Sequence, residues 1–580
     1  MKHPSPDEPE SPTAEAVQLL ERALEHYRAG RLNDAIAGFH QALAIDPDFA
    51  EAHASLGLAL GGMGRLDEAV ACYRKALTLK PYFAEAYGFL GSTLKELGRL
   101  DEAVANFEKA IAINPDFADA MNNLGVTHLD LGDLGSAIVH FKKATAIDPN
   151  LMSANFNYLH ALLYKPDIGS DELFETYRRT VAHRPSAPVA PDAEGRDQTP
   201  VAPAPLAPGE KLRIGYLSSD FRDHPLGDNV APLLSHHDHA RFEIFCYANV
   251  ALPDATTEKF QGYADHWRPI QGLADEDIAG LIRDDNIHIM VYLGGHFGDN
   301  HPSVASWRPA PVQAGIFGGT TSALDEMDFW LTDSVLHPPG DSDGQGGGVS
   351  ERFTEDLVRV ASLFTYPKPE DAPDVSALPA ETNGFVTFCS FNKPSKMNDD
   401  VLDLWSEVLL AVPDARLVLK SKNYFRSSII SERLMARFNA NGISHDRITL
   451  LGTMDSFHNH LGHYAKADIA LDTFPFSGAT TTFQALWMGV PVISLLGERF
   501  IGRMGGALSS HAGLDDLVAE TPKDYVKKAA ALAADLDRLK DLRAGLRDRI
   551  GASPLCDGPS FAKNIEQAYQ DMWDSRMAGG

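Results

Sequence analysis

Over the first 150 or so residues, apolar positions recur at helical spacing in paired stretches. One such pair is 50–63 and 66–79, joined by Gly64-Arg65 and followed by Pro81. The unit repeats: Pro47, Pro81, Pro115 and Pro149 stand 34 residues apart, and Gly30, Gly64, Gly98 and Gly132 keep the same step. So do Gly57, Gly91 and Gly125, and the small residues Ala42, Ala76, Ala110 and Ala144. Glycine ends each first helix, and small residues stand where helices cross. Four full helix pairs are predicted between about Ala16 and Leu151. A degenerate fifth begins near Met152, with Leu159 where glycine is due.

After residue 210 the pattern changes to short apolar runs alternating with helical segments. Leu212–Leu217, Phe242–Tyr247, Ile287–Leu293, Val312–Phe317 and Phe329–Thr332 read as strands, and from Gly384 a second series follows: Phe385–Cys389, Ala415–Leu419, Ile448–Leu451, Ala467–Leu471 and Val490–Leu495. Near-continuous apolar strands separated by helices predict parallel sheets covered on both faces. The expected fold is thus an α solenoid followed by α/β, two Rossmann-like domains facing a cleft. The predicted boundaries are a disordered start over 1–15, repeats over 16–184 and a Pro-rich linker over 185–210. A first lobe follows over 211–375, then a second over 376–580 with a closing helix near Phe561–Trp573.

Ligands of such sheets gather at the carboxyl ends of strands. One of those ends is the richest stretch of the chain. After the strand at 467–471, Ser477-Gly478 supplies a turn, and Thr480, Thr481 and Thr482 open a helix closed by Gly489-Val-Pro491. The first N–H groups of a helix, its dipole and these hydroxyls suit an anion, most naturally phosphate.

Composition narrows the choices. A net charge of −29 with no Lys/Arg-rich run argues against nucleic acid or an anionic membrane as the main partner. Cys72, Cys246, Cys389 and Cys556 lie far apart with no metal-ligand spacing, which predicts a reduced cytoplasmic setting and no metal site. No run has the length and apolarity of a signal peptide or a bilayer span. The Gly-rich stretch 341–348 reads as a flexible loop.

The 34-residue period resembles the tetratricopeptide repeat, which implies an extended surface for protein segments. Asn123 and Asn157, also 34 apart, occupy the inner-helix position that can grip a peptide backbone or serve as a structural amide; Ser55 and Phe89 precede them in that column. Behind the repeats, Ser218-Ser-Asp-Phe-Arg-Asp-His-Pro225, Arg308-Pro-Ala-Pro-Val-Gln313, Phe391-Asn-Lys-Pro-Ser-Lys396 and Asp472-Thr-Phe-Pro with its three threonines follow in order. Together they resemble the protein O-GlcNAc transferase family, with its bacterial and SPINDLY-like members.

That resemblance implies an inverting, metal-independent transferase that moves a sugar from a nucleoside diphosphate to Ser or Thr of protein acceptors. UDP-GlcNAc is the default donor substrate, with no further cofactor. It implies that Lys396 contacts the donor diphosphate, where an ammonium stabilises the leaving group's charge, and that Thr480 and Thr481 bind phosphate beside Thr482 and Gly478. It carries Gln313 and His460 into the donor site, His460 beside the base or else a core or surface histidine. His224 would hydrogen-bond the sugar, the phosphate or the acceptor hydroxyl. His160 would stand near the reacting centre, and the general base stays open.

Several positions depart from the family pattern. Phe317-Gly-Gly-Thr-Thr321 lacks the family's Tyr-Pro, Gln484 replaces an acid that accepts ribose hydroxyls, and Asp228 and Ala479 replace histidines. These leave two alternatives: the same mechanism with a donor such as GDP-fucose, or a repeat scaffold with a silent transferase domain.

Overall fold

The computed structural model describes residues 13–182, 204–298, 300–339, 351–452 and 456–578. The stretch 1–12, most of the predicted linker and the Gly-rich stretch 341–348 lie outside the described residues. The chain forms two compact units: residues up to Ala154 with Lys422–Glu432, and Asn155–Ser421 with Arg433 onward.

The first unit holds four antiparallel helix pairs: α1 (Ala14–Arg28) with α2 (Leu32–Ile45), α3 (Ala50–Gly62) with α4 (Leu66–Leu79), α5 (Ala84–Glu96) with α6 (Leu100–Ile113), and α7 (Ala118–Asp130) with α8 (Leu134–Ile147). Gly30, Gly64, Gly98 and Gly132 end the first helix of each pair with φ of 71°, 74°, 73° and 78°, a left-handed conformation that glycine adopts without a side-chain clash. Within three pairs a ring from the second helix lies on a glycine of the first. A Cβ added at Gly57, Gly91 or Gly125 would stand 2.7, 2.8 or 2.7 Å from the rings of Tyr73, Phe107 or Phe141. The period therefore serves close helix approach, and these rings, themselves 34 apart, are buried. In the same unit the Asp101 carboxylate at the start of α6 accepts from Ser427 and Ser428, whose N–H reaches it at 3.0 Å.

From Asn155 onward α9 (Met152–Leu163), and the whole of α10 (Ser170–Val181), belong to the second unit. The reason lies in their side chains: Arg178 donates to Asp325 at 2.6 Å and to the Ala323 carbonyl at 3.2 Å, and Arg352 reaches Asp171 at 3.0 Å.

The second unit contains two parallel sheets. The first comprises β1 (Leu212–Ser218), β2 (Phe242–Ala248), β3 (His266–Pro269), β4 (Ile289–Leu293), β5 (Val312–Ile316), β6 (Phe329–Asp333) and β7 (Asp356–Val360), in the order β3-β2-β1-β4-β5-β6-β7. Its helices include α11 (Pro225–Leu234), α12 (Ala255–Tyr263) and α13 (Asp275–Asp284). The second comprises β8 (Thr387–Ser390), β9 (Arg416–Lys420), β10 (Ile448–Leu451), β11 (Ile469–Leu471), β12 (Val492–Leu495) and β13 (Val518–Ala519), in the order β10-β9-β8-β11-β12-β13. Around it lie α14 (Pro379–Asn383), α15 (Asp399–Ala411), α16 (Ser428–Ala440), α17 (Phe457–Gly462), α18 (Thr480–Trp487), α19 (Phe500–His511), α20 (Pro522–Ala534) and α21 (Leu536–Gly551). Strand order reverses between β1 and β4 in one sheet and between β8 and β11 in the other. A crevice opens at the carboxyl ends of strands at such a reversal.

The final helix, α22 (Gly558–Ala578), returns to the first lobe against α11, β5 and β7. It seals that packing with a buried polar network. The Glu566 carboxylate lies 2.9 Å from His237 Nδ1 and accepts from the Asp238 N–H at 2.7 Å, while Tyr216 joins His237 to Tyr569. Burial holds the His237 imidazole below its usual pKa despite that carboxylate.

Phe107→Ala removes a fully buried ring from the repeat core, and should cost about 3–5 kcal/mol. The expected outcome is a lower urea midpoint for the helical signal, with Phe107→Leu recovering part of it; an unchanged midpoint would contradict the ring-on-glycine account.

Candidate functional site

Each reversal point is stapled by one side chain. In the first lobe the Asn300 amide oxygen, on the segment after β4, accepts from Ser218 Oγ at 3.0 Å, Ser219 N at 2.7 Å and Ser219 Oγ at 3.1 Å. It thereby fixes the loop after β1. That loop ends at His224, which caps α11: its Nδ1 accepts from the Leu226 N–H at 3.3 Å and lies 3.4 Å from Asp220 Oδ1. A neutral imidazole accepting at Nδ1 carries its proton on Nε2. Burial lowers the His224 pKa, the Asp220 charge opposes this, and Arg222 and Lys393 add to the lowering. In that state His224 presents a donor outward.

In the second lobe the staple is Lys396. It follows β8 on a short turn of helix, and its Nζ donates to the Ser477 carbonyl at 2.7 Å while lying 4.3 Å from the centre of the Phe476 ring. Ser477 belongs to the loop between β11 and α18, so the cation and the helix start occupy one lobe, on neighbouring strand ends, and do not meet across the cleft. Burial pushes the Lys396 pKa down to about 7; the Asp472 carboxylate opposes this and Lys393 reinforces it. Asp472 is itself pushed up to about 6 by burial, although Gly478 N–H and Thr473 N–H donate to its Oδ1 at 2.7 and 2.8 Å.

The expected phosphate cradle is narrower than the sequence implies. The Gly478 N–H is committed to Asp472. A Cβ there would stand 2.7 Å from Thr482 Oγ1, so the glycine shapes the turn and does not itself receive an anion. Thr482 is buried and turned against that turn. Thr480 and Thr481 are half-exposed, and their backbone N–H groups have no acceptor among the described residues. Gln313 needs a larger correction. It is fully buried in β5, taking the Tyr292 hydroxyl proton at 2.9 Å and donating to the carbonyls of Ala305 and Glu326 at 2.9 and 2.8 Å, and so is a core amide.

His460 and Gln484 do meet: His460 Nε2 lies 3.1 Å from Gln484 Oε1, and the buried Lys420 places Nζ 2.9 Å from His460 Nδ1. His160 of α9 sits among rings, with centroids 5.0 Å from Phe297, 5.2 Å from Tyr164 and 6.2 Å from Phe476. Burial, helped by Lys393 and Lys396, pushes its pKa down to about 3, so it is neutral at pH 7. It lines a small recess, too tight for a sugar, with Phe297, Gly319 and Thr320. There the departing loop is rigidly held. A Cβ at Gly318 would lie 2.5 Å from Trp330 and one at Gly319 2.6 Å from Phe297, while Glu355 takes the Ser322 N–H at 2.7 Å and the Thr321 hydroxyl at 2.6 Å. Asp228, half-buried, is pushed up to about 6 by burial and by Asp223.

Asn300 and Lys420 were not singled out from the sequence. Lys420 ends β9, next to β8, and Asn300 follows β4, so both stand beyond carboxyl ends of strands once the strand order is known. Among the described residues no group of three or more His, Cys, Asp or Glu could hold a metal ion.

Two parallel-sheet lobes, each with a polar constellation at its reversal point, and a last helix returning to the first lobe define the GT-B class of architecture. Comparison with known proteins narrows the class. The profile of glycosyl transferase family 41 matches residues 198–351 and 376–565, and tetratricopeptide profiles match 23–64, 91–132, 50–83 and 118–151. The chain belongs to glycosyl transferase family 41.

It is 37% identical over 379 residues to the probable UDP-N-acetylglucosamine–peptide N-acetylglucosaminyltransferase SPINDLY of Arabidopsis thaliana, covering 64% of this chain and 40% of that protein. It is 36% identical over 428 residues to the protein of that name from Solanum lycopersicum, covering 73% and 44%. The chain thus spans less than half the length of these curated relatives. A solved structure of a mutant Thermobaculum terrenum O-GlcNAc transferase aligns over 98% of this chain and 99% of its own, at 31% identity and a TM-score of 0.78.

A pH dependence follows from Lys396. On the expectation that the Lys396 ammonium pairs with a pyrophosphate, affinity should be greatest below pH 7 and weaken progressively above it. Titration calorimetry at pH 6 to 9 on the wild-type protein and Lys396→Met separates this from the ligand's own ionisation: the ratio of the two affinities is expected to shrink as pH rises, and a constant ratio would contradict the assignment.

Proposed function

We propose that the protein is an O-glycosyltransferase that moves a sugar, GlcNAc from UDP-GlcNAc in the first instance, to Ser or Thr hydroxyls of protein acceptors with inversion. The observation that carries this reading is the placement of Lys396 beside the open start of α18 at a strand-order reversal. The names of the plant relatives and of the bacterial structure support the choice of donor and reaction.

The diphosphate lies between the Lys396 ammonium and the first N–H groups and hydroxyls of Thr480 and Thr481. As the bond from the anomeric carbon to the phosphate oxygen lengthens, negative charge grows on that oxygen. Lys396 and the helix start are already oriented to receive it, which lowers the barrier without reorganisation. Charge neutralisation by Lys396 fills the role a metal ion often has, and the reading asks for no cofactor beyond the donor. The hydroxyl attacks from the opposite face, so configuration at that carbon inverts. His224 Nε2–H donates to a donor-sugar or phosphate oxygen, and His160 with Phe297 walls the sugar from water.

The repeats are the surface we assign to acceptor proteins. Asn123, whose amide lies 3.5 Å from Ser92 Oγ, is one polar side chain of that array. We place the protein in the reducing cytoplasm, in keeping with four free cysteines. Among the described residues no helix is long and apolar enough to cross a membrane.

Lys396→Ala should lower kcat/KM for transfer by about 100-fold or more, as loss of a preorganised charge at a leaving group does. Intact-mass analysis of acceptor proteins co-expressed with wild type or variant checks this. A panel of UDP- and GDP-sugars checks the donor, and preference for a guanosine nucleotide would replace GlcNAc with another sugar.

A further inference from the structure

α19 follows β12 of the second lobe, yet it bonds to the first lobe along its length. Its first residue, Phe500, donates its N–H at 2.7 Å to the carboxylate of Glu351, which stands between β6 and β7. Arg503 Nε donates to the Val335 carbonyl at 2.8 Å, and at the far end His511 Nε2 lies 3.3 Å from the Asp333 carboxylate. Glu351 is held in turn by His337, whose Nε2 lies 3.2 Å away and whose ring stacks on Phe500 with centroids 5.8 Å apart. A side chain of the first lobe therefore fixes the start of a second-lobe helix.

That same start is bonded to the loop between β11 and α18. Ser477 gives its N–H and its hydroxyl to the Ile501 carbonyl, at 2.9 and 2.7 Å, and its Oγ accepts the Gly505 N–H at 3.1 Å. Ser477 is fully buried, and the helix lies directly on its loop: a Cβ added at Gly502 would stand 2.8 Å from the Pro475 carbonyl oxygen. Packing this close passes a shift on and does not absorb it. The Ser477 carbonyl is also the acceptor of Lys396. Glu351, the first turn of α19, Ser477 and Lys396 thus form one line of contacts from the first lobe to the cation.

From this continuity we infer that Glu351 is a positioning residue for diphosphate binding. Glu351 holds α19, α19 holds Ser477, and Ser477 sets where the Lys396 ammonium stands. The inference rests on the reading that Lys396 pairs with a diphosphate. It adds that the first lobe, through α19, tunes the grip of the second lobe on its ligand.

Titration calorimetry on the full chain tests it, with UDP and inorganic pyrophosphate as probes. Glu351→Ala should weaken both by about fivefold to tenfold, as loss of one oriented hydrogen bond does. Glu351→Gln keeps an oxygen for the Phe500 N–H and should recover most of the affinity. Ser477→Ala cuts the same line from its other end while leaving the carbonyl in place, and should weaken both ligands to a similar extent; it carries the test if Glu351→Ala fails to fold. The decisive comparison is a double-mutant cycle with Lys396→Met, in which a residue acting through Lys396 loses its effect. In that background the penalties of Glu351→Ala and Ser477→Ala should fall below about twofold.

Penalties of equal size in the wild-type and Lys396→Met backgrounds would make Glu351 a general support of the fold and overturn the inference. Equal losses for Glu351→Ala and Glu351→Gln, or a loss for UDP that spares pyrophosphate, would do the same while nucleotide binding stands. A wild-type protein that binds no UDP or other nucleoside diphosphate would overturn the functional reading, and this inference with it.

Discussion

The buried Asp472 carboxylate is the group on which the second lobe's site depends. Its Oδ1 collects the N–H groups of Thr473 and Gly478, and its Oδ2 takes the Ser494 hydroxyl at 3.0 Å. These bonds curl the chain after β11 so that the Ser477 carbonyl faces Lys396 and α18 begins with its first N–H groups open. The carboxylate tolerates almost nothing beside it. A Cβ added at Gly505 would stand 1.9 Å from Oδ2, so α19 approaches through a glycine. Burial shifts both Asp472 and Lys396 toward their neutral forms; the Gly478 and Thr473 N–H groups oppose this at Asp472, and the charge of each partner opposes it in the other.

The two lobes use one topological device for opposite chemistry. At the reversal in the second lobe the outward groups are donors: the Lys396 ammonium and the N–H groups and hydroxyls of Thr480 and Thr481. At the reversal in the first lobe stand the carboxylates of Asp220, 3.4 Å from both Arg222 and His224, and of Asp228 nearby. Under the proposed function, the diphosphate is assigned to the second lobe and the acceptor hydroxyl to the first. The overall charge of −29 sharpens this division, because Lys393, Lys396 and Lys420 put positive charge at one place on an otherwise acidic chain.

The central strands were legible because they are buried on both faces and read as unbroken apolar runs. β3, β7 and β13 were not, and each is an edge strand. β3 is His-Trp-Arg-Pro, β7 begins with Asp356 and holds Arg359, and β13 has two residues, so none shows the run that marks a central strand. The repeats were legible for a different reason, since their close approach demands the same small residue every 34 positions. For the site, residue type located the cation and the helix start but not the direction of each side chain. Gln313 follows a family motif, yet it lies within β5, a strand buried on both faces, and so becomes a core amide. Gly478 gives its N–H to Asp472 and packs closely on Thr482 in the turn that presents their neighbours. Asn300 and Lys420 escape a reading of the chain because their partners lie about 80 and 40 residues away.

The histidines show why residue type underdetermines role. His224 and His160 both lie near Lys393, and both are held neutral at pH 7, but their surroundings give them different work. His224 has a backbone N–H on Nδ1, so its remaining nitrogen is a donor. His160 is wrapped by Phe297, Tyr164 and Phe476 and serves chiefly as an aromatic wall. His224 Nδ1 also lies 3.4 Å from Asp220 Oδ1, whereas the described surroundings of His160 are aromatic. Under the proposed function, the oxygen acceptors that the first lobe offers an attacking hydroxyl are the carboxylates of Asp220, just after β1, and Asp228, in the first turn of α11.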